Sequence, residues 1–532
     1  MTKLRSTLAA ACLFLLSVQS LPLHAINIIP QPSEVKSLSG VFTLSATTAI
    51  IPGKSTTEAN QLQQSLQDAL GLSLSLKPNA PDNFIKLTLN NKLEKELGKE
   101  GYLLQVNPGK IQITAADNAG IFYGIQSLRQ LITSNGNGYT INAVSIKDKP
   151  RFGWRAFMLD EGRYFKGGET VKRILDEMAL LKMNVFHWHL TDDQGWRIEI
   201  KKYPLLTQIG SKRDSTQIGT WNSKVYDGKV HEGFYTQAQI KDIIRYAADR
   251  HITIIPEIEM PGHSTAAIAA YSWLGTTHQP VKVSTKFGVH YDVFNVTDPK
   301  VVSFLEDVLQ EVIALFPSKV IHIGGDEVKY DQWKADANVN AYMKAHHLAS
   351  PADLQIAFTN SISNFLAGKN RRMAGWNEIM GSKLHDFSDS KDAPATEKLA
   401  TGTIVQFWKG ELNLITDAVS KGYDVINSYH AMTYLDYDYT SISLEKAYSF
   451  DPIPAGLAPQ YYSKILGSGC QMWGEWIPDN KSMNRQVYPR LAAFAEDGWT
   501  TPENKSFNRF KEALQFFYTR WDKEGIAPGS SN

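Results

Sequence analysis

The chain reads as α/β: a (β/α)₈ TIM barrel over residues 151–532, preceded by a small α+β domain over residues 26–150. Three observations predict this. After residue 150, short apolar or β-branched runs recur eight times, with amphipathic stretches between several of them. Before residue 150, strand-like and helical pieces mix without strict alternation. Each of the eight runs is followed within a few residues by polar or aromatic groups, and barrel sites are built at strand C-terminal ends.

In chain order, residues 1–25 come first. Lys3 and Arg5 precede an apolar stretch over 8–18 and a small residue at Ala25. This reads as an export signal, since the apolar core is too short for a membrane span. The expected destination is the periplasm or the medium. The α+β domain follows, with strands at 84–90 and 109–117 and helices at 58–70 and 119–132. Pro150, in a charged stretch, marks the join. The barrel strands are expected at 154–160, 184–190, 252–258, 319–326, 371–376, 403–408, 423–428 and 465–473. Helices are expected at 169–182, 236–250 and 299–316, and a polar loop at 381–398.

Composition narrows the function. The 532 residues carry a formal net charge of +1, which gives no electrostatic case for nucleic acid or an anionic membrane. Of the two cysteines, Cys12 falls in the leader, so Cys470 alone remains and no intrachain disulfide can form. The 12 Trp and 22 Tyr can fill a core, and they also suit a sugar-stacking cleft.

The chemistry begins at "HIGGDEV" (322–328), where two glycines deliver Asp326 and Glu327 side by side. An acidic doublet at a strand end is commonly a cap or a solvated turn. Glycines, however, permit bends that other residues resist. If both acids face one cavity, repulsion raises the proton affinity of one, giving the acid–carboxylate pair that glycosidic cleavage needs. "HWHLTDDQGWR" (187–197) offers a rival, because two histidines on one strand face could hold a metal with Asp192 or Asp193. Hydrogen-bonded core histidines are the plainer reading, with no metal and no cofactor. Trp376, Trp408 and Trp473 stand at three separate strand ends, where they suit a cleft wall. Arg163, Asp436 and Glu475 could hydrogen-bond ring hydroxyls.

These motifs, with "PEIEMPGHS" (256–264), "MAGWNEI" (373–379), "YLD" (434–436), "WGE" (473–475) and "YPRLAAFAEDGW" (488–499), resemble the β-N-acetylhexosaminidases of glycoside hydrolase family 20. The resemblance covers essentially the whole chain after the leader. It implies a carbohydrate substrate and exo-acting release of a terminal non-reducing N-acetylhexosamine, N-acetylglucosamine or N-acetylgalactosamine. It implies retention, with the substrate's own 2-acetamido group as nucleophile and an oxazolinium intermediate. Glu327 matches the general acid, Asp326 and Tyr434 the groups that hold the acetamide, and Asp192 and His263 a relay supporting the acid. Arg163, Asp436 and Glu475 match hydroxyl binders; Trp376, Trp408 and Trp473 match pocket walls. "LDEGRYF" (159–165) departs from the family's common Ser-Arg-His order but keeps Arg163. The alternatives are a lacto-N-biosidase-like release of disaccharide and a non-catalytic glycan-binding barrel.

Overall fold

The computed structural model describes residues 26–530, apart from 135, 137, 382–383 and 386–398. The leader read at 1–25 and most of the polar loop at 381–398 lie outside the described residues. Eight parallel strands close into a barrel. They are β1 (Trp154–Asp160), β2 (Val185–His189), β3 (Thr253–Glu257), β4 (Val320–His322), β5 (Arg372–Trp376), β6 (Ile404–Phe407), β7 (Asp424–Asn427) and β8 (Ile465–Met472). β8 returns to β1 with Met472 opposite Leu159. All eight runs seen in the sequence are strands. The fourth is shorter than expected, because the backbone turns into positive φ at Gly324 and Gly325 and leaves the sheet.

Helices α1 (Gly168–Leu180), α2 (Gln237–Ala248), α3 (Pro299–Leu315) and α4 (Pro351–Gly368) follow the first four strands. Their starts are written locally. Thr236 and Gln239 form a reciprocal capping box, and Asp298 and Ser350 each cap a helix whose first residue is proline. No helix among the described residues is long and apolar enough to cross a membrane.

Period-two alternation then sorts the barrel interior. At the N-terminal end, Ala156, Val185, Ile255, Val320, Ala374, Ile404 and Ile426 form an apolar plug. Two residues further along the same faces stand Met158, His187, Glu257, His322, Trp376, Gln406 and Ser428, all buried. The apolar layer thus gives way to a largely polar one. Part of it is internally bonded: Gln406 and Gln471 both donate to Ser428 Oγ, at 3.1 and 3.0 Å. Above this layer, at the strand C-terminal ends, lies the site.

The N-terminal domain is a mixed sheet backed by helices Thr56–Leu70 and Asn118–Leu131. Its strands run in the order Glu34–Leu44, Tyr139–Asp148, Tyr102–Asn107, Lys110–Ala115, Phe84–Leu89, Ala49–Ile51 and Ser75–Leu76. The sheet meets the barrel through Asp148, which is fully buried. One of its oxygens accepts from Tyr102 at 2.6 Å and from Lys182, just beyond α1, at 3.1 Å. The other accepts from the Ser33 amide at 3.0 Å and from the Trp499 indole at 2.9 Å. Arg155 of β1 adds a two-pronged contact to Glu100, at 2.8 and 3.0 Å.

Lys182 has no exposed side-chain surface, so removing its counter-ion strands a charge. Replacing Asp148 with Ala is expected to cost about 3–5 kcal/mol, read as a lower urea midpoint. The double variant D148A/K182M should recover part of that loss. An unchanged midpoint in D148A would show that the pair contributes nothing.

Candidate active site

The bend after β4 explains the acidic doublet. Gly324 has φ +65° and Gly325 φ +89°. A Cβ at Gly324 would collide with the Glu259 carboxylate, and one at Gly325 with Ile379. Only glycine fits both positions. Glu327 itself sits at φ +53°, an uncommon conformation for a residue with a side chain. In extended backbone the neighbours would point to opposite faces. Here both reach one imidazole: His263 Nε2 lies 3.8 Å from Asp326 Oδ2 and 3.6 Å from Glu327 Oε2.

His263 is held from behind. Its Nδ1 lies 3.1 Å from Asp193 Oδ2 and 3.4 Å from Asp192 Oδ1. Asp193, in turn, accepts from the amide and hydroxyl of Thr265. The imidazole therefore touches both members of the second acidic doublet, with the shorter contact to Asp193. Burial disfavours its cation, but Asp192, Asp193 and Glu327 outweigh this and keep it protonated well above the usual histidine range. Glu327 responds in the opposite sense. Burial would raise it, yet hydrogen bonding and charge from His263 leave it below the ordinary glutamate value. Asp326 is pushed well above the aspartate range by burial and by Glu378 and Glu327, against the pull of His263.

Asp192 is a junction. Its Oδ2 meets His189 Nε2 at 2.9 Å and Arg163 Nη2 at 3.0 Å. Arg163 also reaches Asp160 at 3.2 Å and lies 3.9 Å from Glu475. Its guanidinium sits 5.1 Å from the Trp473 ring centre. Burial works against this cation, but Asp192, Glu475 and Asp160 hold it charged. Beyond Glu475 lies Asp436, pushed up to about 8 by burial and then by Glu475.

The walls are aromatic. Trp376 is fully buried and donates its indole N–H to Glu257 at 2.8 Å. Trp408 donates to Glu378 at 2.9 Å and lies parallel to Tyr434, with ring centres 5.9 Å apart. Trp473 packs 5.7 Å from Trp376 and 6.0 Å from Tyr434. Among the described residues, the buried atoms here that make no hydrogen bond include Asp326 Oδ1, Asp436 Oδ1 and Trp473 Nε1. Two acceptors and one donor stand ready for a ligand with hydroxyl and amide groups.

Every residue singled out in the sequence lies at this end of the barrel. Some participants were passed over. Glu257 enters the sequence reading only within the motif "PEIEMPGHS", yet its carboxylate meets His187, His189, His322 and Trp376. Glu259 is not singled out either; it is 2% exposed, neither of its oxygens makes a hydrogen bond, and Oε1 lies 3.8 Å from His189 Nδ1. Burial, together with Asp326 and Glu257, drives its pKa well above the carboxylate range. The signal for both was present: "PEIEM" places two acids at alternate positions of an otherwise apolar run, which puts both on one face. His385, 3.1 Å from Glu378 and 3.7 Å from Glu327, stands in a segment with no periodicity to mark it.

The metal alternative depends on the histidines. Ligand atoms of His187, Glu257 and His322 come within 4.8 Å of one another, as do those of His189, Glu257 and Glu259. His189 is engaged on both sides, by Glu257 at 2.7 Å and Asp192 at 2.9 Å. Burial lowers its basicity, but the two carboxylates raise it to about 10, and an imidazolium has no lone pair to give a metal. This holds for the cluster containing His189; in the other, burial lowers His187 to about 4, so its imidazole is neutral and keeps a lone pair.

Comparison with known proteins agrees with this geometry. The description "Glycosyl hydrolase family 20, catalytic domain" matches residues 152–502, and "Glycosyl hydrolase family 20, domain 2" matches residues 25–149. The chain is 35% identical over 522 residues to a beta-hexosaminidase of Porphyromonas gingivalis. That match covers 94% of this chain but 64% of the relative, so the chain spans less than two thirds of that protein's length. It is 29% identical over 529 residues to a beta-N-acetylhexosaminidase of Cellulomonas fimi, covering 94% and 95% of the two chains. Among solved structures it is similar to an exo beta-N-acetylglucosaminidase of Vibrio harveyi in complex with N-acetylglucosamine. The TM-score is 0.81 at 29% identity, over 96% of this chain and 79% of that one. For a beta-N-acetylhexosaminidase of Bacteroides fragilis the TM-score is 0.79 at 30% identity, over 95% and 97%. With one description matching its barrel and another its N-terminal domain, the chain belongs to glycosyl hydrolase family 20.

Proposed function

We propose that the chain is an exo-acting β-N-acetylhexosaminidase that cleaves with retention, using the substrate's acetamido group as nucleophile. The observation that carries this reading is the convergence of Asp326 and Glu327 on one compartment. The partnerless Asp326 Oδ1 supports it further, being a buried acceptor placed for an acetamide N–H. The relatives support the substrate class: the Vibrio harveyi protein is an exo beta-N-acetylglucosaminidase seen with N-acetylglucosamine.

In the proposed reaction the terminal sugar lies among Trp376, Trp408 and Trp473, with its outer hydroxyls toward Arg163, Asp436 and Glu475. Glu327 delivers a proton to the glycosidic oxygen as the bond to C1 breaks. The acetamido oxygen forms the new bond to C1, giving an oxazolinium ion and the free alcohol. Asp326 accepts from the acetamide N–H, and the positive charge developing there favours its ionised form against the burial and repulsion that otherwise raise its pKa. Tyr434, in the wall beside Trp408 and Trp473, is placed to hydrogen-bond the acetamido oxygen. Water then gives a proton to Glu327 while its oxygen bonds C1 and the five-membered ring opens. Two inversions make net retention, with no protein nucleophile.

The resting proton belongs to His263 more than to Glu327, as their opposed shifts imply. His263 Nε2 faces Glu327, so the imidazolium is the reservoir that loads the acid. Asp192 and Asp193 stabilise that charge. We further infer export, on the basic and then apolar N-terminus; the proposal carries no cofactor.

Glu327→Gln keeps the pocket but removes the acid, so kcat on an N-acetylglucosaminide should fall about 10²–10⁴-fold with KM little changed. Near-normal turnover in steady-state assays would refute the role. A thiazoline analogue of the oxazolinium should inhibit at least about 100-fold more tightly than free N-acetylglucosamine. Equal inhibition constants would count against acetamide participation, as would equally fast hydrolysis of a glucoside lacking the amide.

A further inference from the structure

A guanidinium carries five N–H donors in one plane, so what it can grip depends on how that plane is held. At Arg163 three donors are spent inside the protein. Nη1 donates to Asp160 at 3.2 Å, Nη2 lies 3.0 Å from Asp192, and Nε donates to the side-chain oxygen of Gln194 at 3.2 Å. Glu475, at 3.9 Å from Nη2, is beyond hydrogen-bond reach. Among the described residues this leaves one N–H on each terminal nitrogen, a fork with two prongs. Two acids at the terminal nitrogens alone would let the plane tilt about the line joining them. The contact at Nε stops that tilt.

Gln194 is itself fixed. It is 1% exposed. Its amide nitrogen donates to the Lys286 carbonyl at 3.0 Å, and its backbone carbonyl accepts from Arg213 at 3.1 Å. Arg163 lies between β1 and α1, Gln194 between β2 and α2, and Lys286 between β3 and α3, so one amide ties three loops at the barrel mouth. An amide suits this place better than a carboxylate. Asp160, Asp192 and Glu475 already surround the cation, and a carboxylate could not donate to Lys286. The side chain thus supplies direction to the guanidinium without adding charge.

On the sugar, C1 carries the bond that breaks and C2 the acetamide. C3 and C4 therefore hold the one adjacent pair of ring hydroxyls. We propose that Gln194 is a positioning residue for recognition of the terminal ring, fixing the Arg163 plane so that its two unspent N–H groups meet the hydroxyls at C3 and C4. This rests on the proposed function.

The test compares kcat/KM of the full chain on p-nitrophenyl N-acetyl-β-glucosaminide with that on its 3,4-dideoxy analogue, which has nothing for the fork to hold. Gln194→Met keeps the volume and removes the acceptor. It should lower the parent value about tenfold, the worth of a charged hydrogen bond, and the analogue value less than about twofold. The ratio of the two values does not depend on the fraction of chains folded, and Gln194→Asn, which shortens the amide, gives the same reading if Q194M fails to fold. On an Arg163→Met background, adding Q194M should change the ratio less than about twofold. An equal loss on both substrates, no loss on the parent, or losses that multiply in the double variant would overturn the role. A wild-type chain inactive on both substrates would instead refute the proposed function itself.

Discussion

One buried carboxylate organises this site. Glu257 has no exposed surface, and both of its oxygens are used twice. One oxygen lies 2.9 Å from His187 Nε2 and 2.7 Å from His189 Nδ1; the other lies 2.9 Å from His322 Nδ1 and 2.8 Å from the Trp376 indole nitrogen. Those partners come from β2, β4 and β5, so one side chain of β3 fixes the floor of the cup across four strands. Burial would neutralise it, but the imidazoles of His322, His189 and His187 hold it ionised well below the glutamate range. From Glu257 the charges alternate outward: His189 positive, Asp192 negative, Arg163 positive. Isolated, each would be costly in such a place; in series each satisfies the next.

The same alternation explains why two adjacent acids behave oppositely. Glu327 stands at the end of a branch through His263, so its negative form is favoured. Asp326 faces Glu378 and Glu327 and has Glu259, another buried acid, packed against the glycine bend behind it. One carboxylate is therefore paired and the other is under electrostatic pressure, although they are neighbours in the chain. The difference is made by what each faces and has little to do with the residues themselves.

This also separates what the sequence discloses from what it withholds. Barrel strands could be recognised because eight apolar runs end in polar groups, a pattern imposed by period-two burial and by the placement of sites at strand ends. The acidic doublet was visible, and so was the need for a bend, since paired glycines have few other uses. The length of β4 was not, because the run 319–326 reads as continuous until the conformation of Gly324 is known. The partnering of the second doublet was equally hidden. Asp192 and Asp193 are indistinguishable as letters, and only the fold shows the first bridging His189 to Arg163 while the second takes the shorter contact to His263. Alternation alone does not announce Glu259, because a buried acid whose oxygens make no hydrogen bond is rare.

The Asp148 junction bears on how such a protein can be assembled from parts. Lys182 belongs to the barrel, but its counter-ion is the last residue of a strand in the preceding sheet, and the indole of Trp499 closes the same junction from near the barrel's C-terminal end. Separating the two halves would break this ion pair and bare both charges to water together with the apolar surface around them. A partner that replaced either half would have to present a matching charge at the same place for the junction to close again.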